Sequence, residues 1–222
     1  MEDKELIQRL DSYSQEKLNK YLMVHQVSED IIRRYADKAD WYIISEHQEL
    51  SEDFIREFAD RVNWSRISTS QELSESFIME FAAKVDWVDI SCFQHLSEDF
   101  IREFTNRVNW ISISECQQMS EDFIREFANK VDWWWISRNQ TLSKDFIKEF
   151  SDRLDWGCLM LNSHLSHIDI NSLHADFLTS KADYAALGRK AGAEAVKEQP
   201  VQPQKAEKTE VQSNTQSKSR KH

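Results

Sequence analysis

Glycine and proline are nearly missing, with three and two respectively in 222 residues and none of either before Gly157. Such a chain has no phosphate-cradling glycine loop, and its turns must come from other residues. Cysteine is scarce too. Cys92, Cys116 and Cys158 are odd in number and show no paired spacing, so reduced thiols and a cytoplasmic location are expected. No stretch approaches 18 uninterrupted apolar residues, and the opening MEDKELIQRLDSYS starts with acids. Neither a membrane span nor a signal peptide is expected. Period-two alternation is absent as well, which argues against strands.

Positive charge is short in the body of the chain. Residues 181 to 222 carry nine Lys or Arg against five Asp or Glu; with −11 for the whole chain, the remainder stands near −15. An acidic body argues against direct nucleic-acid binding by the repeats, which needs a basic groove. It is compatible with a basic partner or with solubility alone.

What is present is a repeat. Trp41, Trp64, Trp87, Trp110, Trp133 and Trp156 stand 23 residues apart, each preceded by Asp or Asn. Six copies start at Val27, Leu50, Leu73, Leu96, Met119 and Leu142, with a degenerate restart at Leu165. A fixed period of this length marks a solenoid.

In the copy from Leu50, Ser51 precedes two acids and then Phe54, Ile55, Phe58 and Val62 on one helical face, which predicts a capped helix of about 11 residues. Leu50 and Ile55 have the spacing of a hydrophobic staple. Glu52, Arg56 and Asp60 alternate in sign on the opposite, solvated face. Asn63 then caps a second helix of about 7 residues, whose inner face is Trp64, Ile67, Ser68 and Gln71. One such unit buries too little to offset the entropy of ordering it, so neighbours must stack on a shared core. The fold expected is all-α, an α/α solenoid of six two-helix repeats. The recurring Gln48, Gln71, Gln94, Gln117 and Gln140 are expected to satisfy turn backbone rather than to bind ligand.

Leu96 to Gln117 and Met119 to Gln140 follow the pattern LSEDFIREFxxxVDWxxISxxQ almost throughout. This unit resembles tandem helical repeats of proteins from giant amoebal viruses, some protists and some bacteria or phages. The resemblance covers residues 27 to 164 and implies a repeat architecture without assigned catalytic residues. It also implies a role in redirecting host proteins, in the host cytoplasm if the source is viral. Ile31 and Tyr35 in the first copy, and Gly157, Met160 and His164 in the last, depart from the pattern, as expected of capping layers.

The organisation that follows is an N-terminal helical cap over 1–26, the array over 27–164, a cap helix over 165–184, and a disordered tail over 185–222, where both prolines fall.

Comparing the copies separates scaffold from free positions. The first residue after each Trp is Tyr42, Ser65, Val88, Ile111, Trp134 or Gly157; the second is Ile43, Arg66, Asp89, Ser112, Trp135 or Cys158. Two readings stand: an exposed protein-binding stripe centred on Trp134 and Trp135, or side chains that lean on the next repeat and finish the core. Repeat three adds Ser76, Met79 and Ala83 where other copies carry an acid, a cation and an acid or asparagine, and Phe93 nearby, an apolar window for a partner or a tolerated drift. The candidate partner-binding residues are therefore Tyr42, Ile43, Met79, Val88, Phe93, Ile111, Trp134 and Trp135.

His164, His167, Asp169 and His174 match no zinc spacing, and the cysteines lack a His-plus-acid arrangement, so no catalytic site, metal or cofactor is expected. The functional expectation is a non-enzymatic scaffold that binds a protein through its outer short-helix face. The alternative is an acidic decoy whose carboxylates imitate a nucleic-acid backbone.

Overall fold

The computed structural model describes residues 2–197, with helices throughout and no strand among them. Two cap helices, α1 (Glu2–Asp11) and α2 (Gln15–Leu22), precede six pairs. These are α3 (Glu29–Tyr35) with α4 (Trp41–His47), α5 (Glu52–Glu57) with α6 (Trp64–Ser70), and α7 (Glu75–Glu80) with α8 (Trp87–Phe93). The remainder are α9 (Glu98–Glu103) with α10 (Trp110–Cys116), α11 (Glu121–Glu126) with α12 (Trp133–Asn139), and α13 (Lys144–Glu149) with α14 (Trp156–Leu161). A 3₁₀ turn at Ser163–Leu165 leads to α15 (Ile170–Lys197). The Trp-led helices stack in sequence order from α4 to α14, as the repeat requires, and α2 of the cap stacks on α4.

From α5 on, each first helix begins where its serine caps it; Ser51 Oγ accepts from Phe54 N at 3.2 Å, and Ser74, Ser97, Ser120 and Ser143 do the same, whereas Ser28 before α3 makes no such bond. It ends earlier than the sequence pattern suggests, spanning 6 residues in α5 instead of about 11. The cause is competition for a carbonyl. Trp64 Nε1 donates to Ala59 O at 2.9 Å and Lys84 Nζ reaches the same oxygen, so the backbone leaves the helical ladder after Phe58 and turns through Val62. The other five tryptophans bond the equivalent carbonyls.

Three hydrogen-bond ladders join successive layers. In the first, Gln94 Nε2 donates to Ser68 O at 2.9 Å and to Gln71 O at 2.8 Å, while its Oε1 accepts from Leu73 N at 3.0 Å. Gln48, Gln71, Gln117 and Gln140 repeat this one layer earlier or later, which is the backbone role expected of them. In the second, Ser68 Oγ donates to Trp64 O and accepts from Asp86 N at 3.0 Å, so a serine in one layer fixes the cap residue of the next. In the third, Glu52 accepts from Ser74 N at 2.7 Å, with Glu29, Glu75, Glu98 and Glu121 in the same role. Between the ladders lies an aromatic column in which Trp64 stands 4.9 Å from Phe81, and Phe77 4.7 Å from Phe81, repeated in every layer up to Trp133 and Phe150.

The ends are modified as their departures suggest. In α2, Asn19 Oδ1 takes the serine's place by accepting from Asp40 N, and the carbonyls of Leu22 and His25 receive Gln48. Tyr35, standing where a phenylalanine recurs, sends its hydroxyl to Ile7 O and to Asp11. That bond and the Arg34 guanidinium hold the Asp11 carboxyl below its usual range. At the other end Asn162, one residue early for the glutamine, bonds Ser137 O and Gln140 O, and Met160 stands in the serine position, where it has no hydroxyl to cap another layer. Leu165, Ile168, Ile170 and Leu173 close the core.

Two expectations are corrected. Cys92 and Cys116 are joined as a disulfide between α8 and α10, not reduced. Their separation of 24, one repeat plus one residue, places them on facing positions of adjacent layers, the offset at which Ser65 meets Asp89 and Glu115 meets Asn139. The cap helix also does not stop at 184, because α15 continues to Lys197 through a run rich in alanine, the strongest helix former, in spite of Gly188 and Gly192. From Asp176 onward it belongs to a second compact unit. The rest of the tail expected to be disordered, 198–222, lies outside the described residues. None of the described helices is long and apolar enough to cross a membrane.

Candidate functional site

The short helices carry two free columns, and the structure assigns them opposite fates. The first is exposed: Tyr42 at 43%, Val88 at 52%, Ile111 at 56% and Trp134 at 49%. It stands two residues after the cap, on the side of the helix turned from the inner face. The second leans on neighbouring layers. Ile43 packs on the core, Ser112 and Cys158 are buried, and Trp135 is half-buried with its ring edge-on to Trp134 at 4.5 Å. Burial pushes the Cys158 thiol up, with a hydrogen bond to Asp155 adding to it.

The first column is not apolar along its whole length. In layer two Ser65 Oγ bonds Asp89, and the Arg66 guanidinium lies 5.0 Å from the Tyr42 ring centre, so Tyr42 is set apart by polar contacts. Val88, Ile111 and Trp134 remain, one per layer on α8, α10 and α12. They are the contiguous part of the candidate face.

Phe93 is 59% exposed but sits at the far end of α8, bordering a groove with Gln71, Glu72, Leu73, Ser74, Gln94 and His95. Met79 lies on α7, in the row of first helices, and is not brought to the stripe. There it interrupts a regular structure. Arg33, Arg56, Arg102 and Arg125 each place a guanidinium 5.0–5.1 Å from the phenylalanine of the next layer and donate to that layer's glutamate at 2.8–2.9 Å. The Glu126 hydrogen bond raises the Arg102 guanidinium above its usual value, and Glu149 does so for Arg125. Met79 provides no guanidinium, so Phe100 keeps 4% exposure where Phe54, Phe77, Phe123 and Phe146 have none, and Glu103 has no ion pair.

Replacing Met79 by arginine is expected to complete the ladder. The midpoint of thermal unfolding should rise slightly, as for any exposed pair with a cation–π contact, and calorimetry of M79R against the parent checks it. An unchanged or lower midpoint would mean that Glu103 and Phe100 do not form an arginine seat.

Among the described residues no three His, Cys, Asp or Glu side chains converge as a metal site would need. His174 stacks on Trp156 at 4.6 Å instead of facing His164 and His167. The sequence reading missed the disulfide, whose only signal was the 24-residue offset. Comparison of the chain with family models, curated proteins and solved structures finds no match.

Proposed function

We propose that the chain is a non-enzymatic repeat scaffold that binds a protein through the outer face of its short helices. The observation that carries this reading is the run of Val88, Ile111 and Trp134, large apolar side chains about half exposed in three successive layers. Each stands on a helix whose opposite face is fixed by buried isoleucine, serine and glutamine, so a partner meets a rigid surface. Trp134, braced edge-on by half-buried Trp135, is the centre, because a tryptophan with its edge packed offers contact area at little entropic cost.

The resemblance of the repeat unit to viral and protist repeats supports host proteins as the class of partner. The decoy reading is weakened by charge pairing. Asp53, Asp99 and Asp122 are the most outward carboxylates of their helices, and each is bonded to an arginine of its own helix.

Trp134→Ala with Trp135→Ala is expected to cost about 2 kcal/mol or more of binding, roughly thirtyfold in Kd, while circular dichroism stays unchanged. Calorimetric titration against a partner captured by the full chain checks it, run at two salt concentrations. Binding that survives the double variant and collapses with salt would replace the stripe by the decoy.

A further inference from the structure

The joint between layers three and four differs from every other joint in the array. It lacks the arginine rung, since Met79 faces Glu103. Its next-layer cation has no side-chain hydrogen-bond partner: Arg61 meets Asp37, Lys84 meets Asp60, Lys130 meets Thr105 and Arg153 meets Asn129, but Arg107 finds Ala83 at that place and bonds Ala82 O. The bond to its glutamine's Oε1 is long, Leu96 N to Gln117 at 3.4 Å against 3.0–3.1 Å for the equivalent bond elsewhere. Leu96 is half-buried where Leu50, Leu73, Met119 and Leu142 are buried. The joint with these gaps is the one bridged by a covalent bond, Cys92 to Cys116, with Cα atoms 5.1 Å apart.

We propose that Cys92–Cys116 is a thiol–disulfide exchange site for small thiols of the glutathione class, and that its oxidation state locks or frees the joint between layers three and four. Cys116 is exposed and Cys92 half-buried, so Cys116 presents the sulfur to attack. A small-molecule thiolate bonds to Cys116 Sγ, the S–S bond breaks, and the electron pair leaves on Cys92 Sγ, which takes a proton from water. A second thiolate then attacks the small molecule's sulfur in the mixed disulfide and releases the Cys116 thiolate. The protein disulfide is reduced by two electrons, and two small thiols are oxidised to their disulfide; the reverse reaction closes the lock. With the bond closed, the open states of this joint lose chain freedom; with it reduced, the joint rests on non-covalent contacts that lack the arginine rung and a side-chain partner for Arg107. This inference is independent of what binds the stripe.

The full chain is tested in oxidised and glutathione-reduced buffers by alkylation with mass analysis and by amide hydrogen exchange. Reduction should make Cys92 and Cys116 alkylatable while buried Cys158 stays protected, with the transient glutathione adduct on Cys116. The Leu96 amide and those of α10 should then exchange at least tenfold faster, with α4 and α6 unchanged. Cys92→Ser with Cys116→Ser should behave as the reduced form, and adding M79R with Ala83→Asp should restore protection without the disulfide. The proposal fails if reduction requires unfolding, read as Cys158 alkylating at the same rate. It equally fails if exchange is unaltered on reduction, or rises uniformly along the array.

Discussion

Replacing Gln94 by alanine is expected to destabilise the chain by about 3–5 kcal/mol, a large share of the roughly 5–15 kcal/mol of an ordinary domain. The side chain contributes almost no apolar packing; its importance is that one amide serves three backbone groups. Without it the N–H of Leu73 and the carbonyls of Ser68 and Gln71 stay in a layer too tight for water, since Gln94 and Gln71 are both buried. Gln94→Glu should be no rescue, because a carboxylate keeps the acceptor but turns two donors into repulsion against carbonyls. Gln118→Ala, on an exposed glutamine two positions from the C-terminal end of α10, should stay within about 0.5 kcal/mol. Denaturant titration of the three variants checks the order. A Gln94→Ala chain as stable as Gln118→Ala would mean that the ladder is ornament.

The second large effect is at Phe123. Truncation to alanine is expected to cost about 3–5 kcal/mol. The ring is fully buried, 4.7 Å from Phe127 and 6.2 Å from Trp110, with the Arg102 guanidinium 5.0 Å away on its outer side. Its neighbours belong to two layers, so collapse around the cavity would have to pull helices joined by three ladders. In an array whose stability is a sum over adjacent layers, damage at one joint uncouples what lies on either side. Unfolding of Phe123→Ala should therefore separate into two transitions where the parent shows one, read by following Trp fluorescence and helicity together. A single, merely shifted transition would show that the layers communicate over a longer range.

The period, the caps and the buried glutamines could be read from the residues because they depend on local chemistry repeated at a fixed step. Ser51, Asn63 and Gln71 have few other things to do in a tight turn. The length of the first helix could not be read, because it is decided by Trp64 reaching back to Ala59 O, a competition invisible to periodicity. The disulfide was hidden for a related reason. Cys92 and Cys116 look unpaired until the layer offset of 24 is known, and that offset is a property of the stack. The two free columns looked equivalent in sequence, yet one turn angle separates exposed Ile111 from buried Ser112. In 185–197 the alanines and lysines outweighed the low apolar content that had suggested disorder.

Every rung of the ladders reaches one layer along, from Gln94 back to Ser68 and from Ser68 forward to Asp86. Gain or loss of a whole unit by recombination therefore leaves each rung with a mate, whereas a change of one residue inside a unit would misplace all three ladders at once. Such a molecule can lengthen or shorten over generations in whole steps while each layer's outward residues are free to vary, so reach and recognition evolve separately.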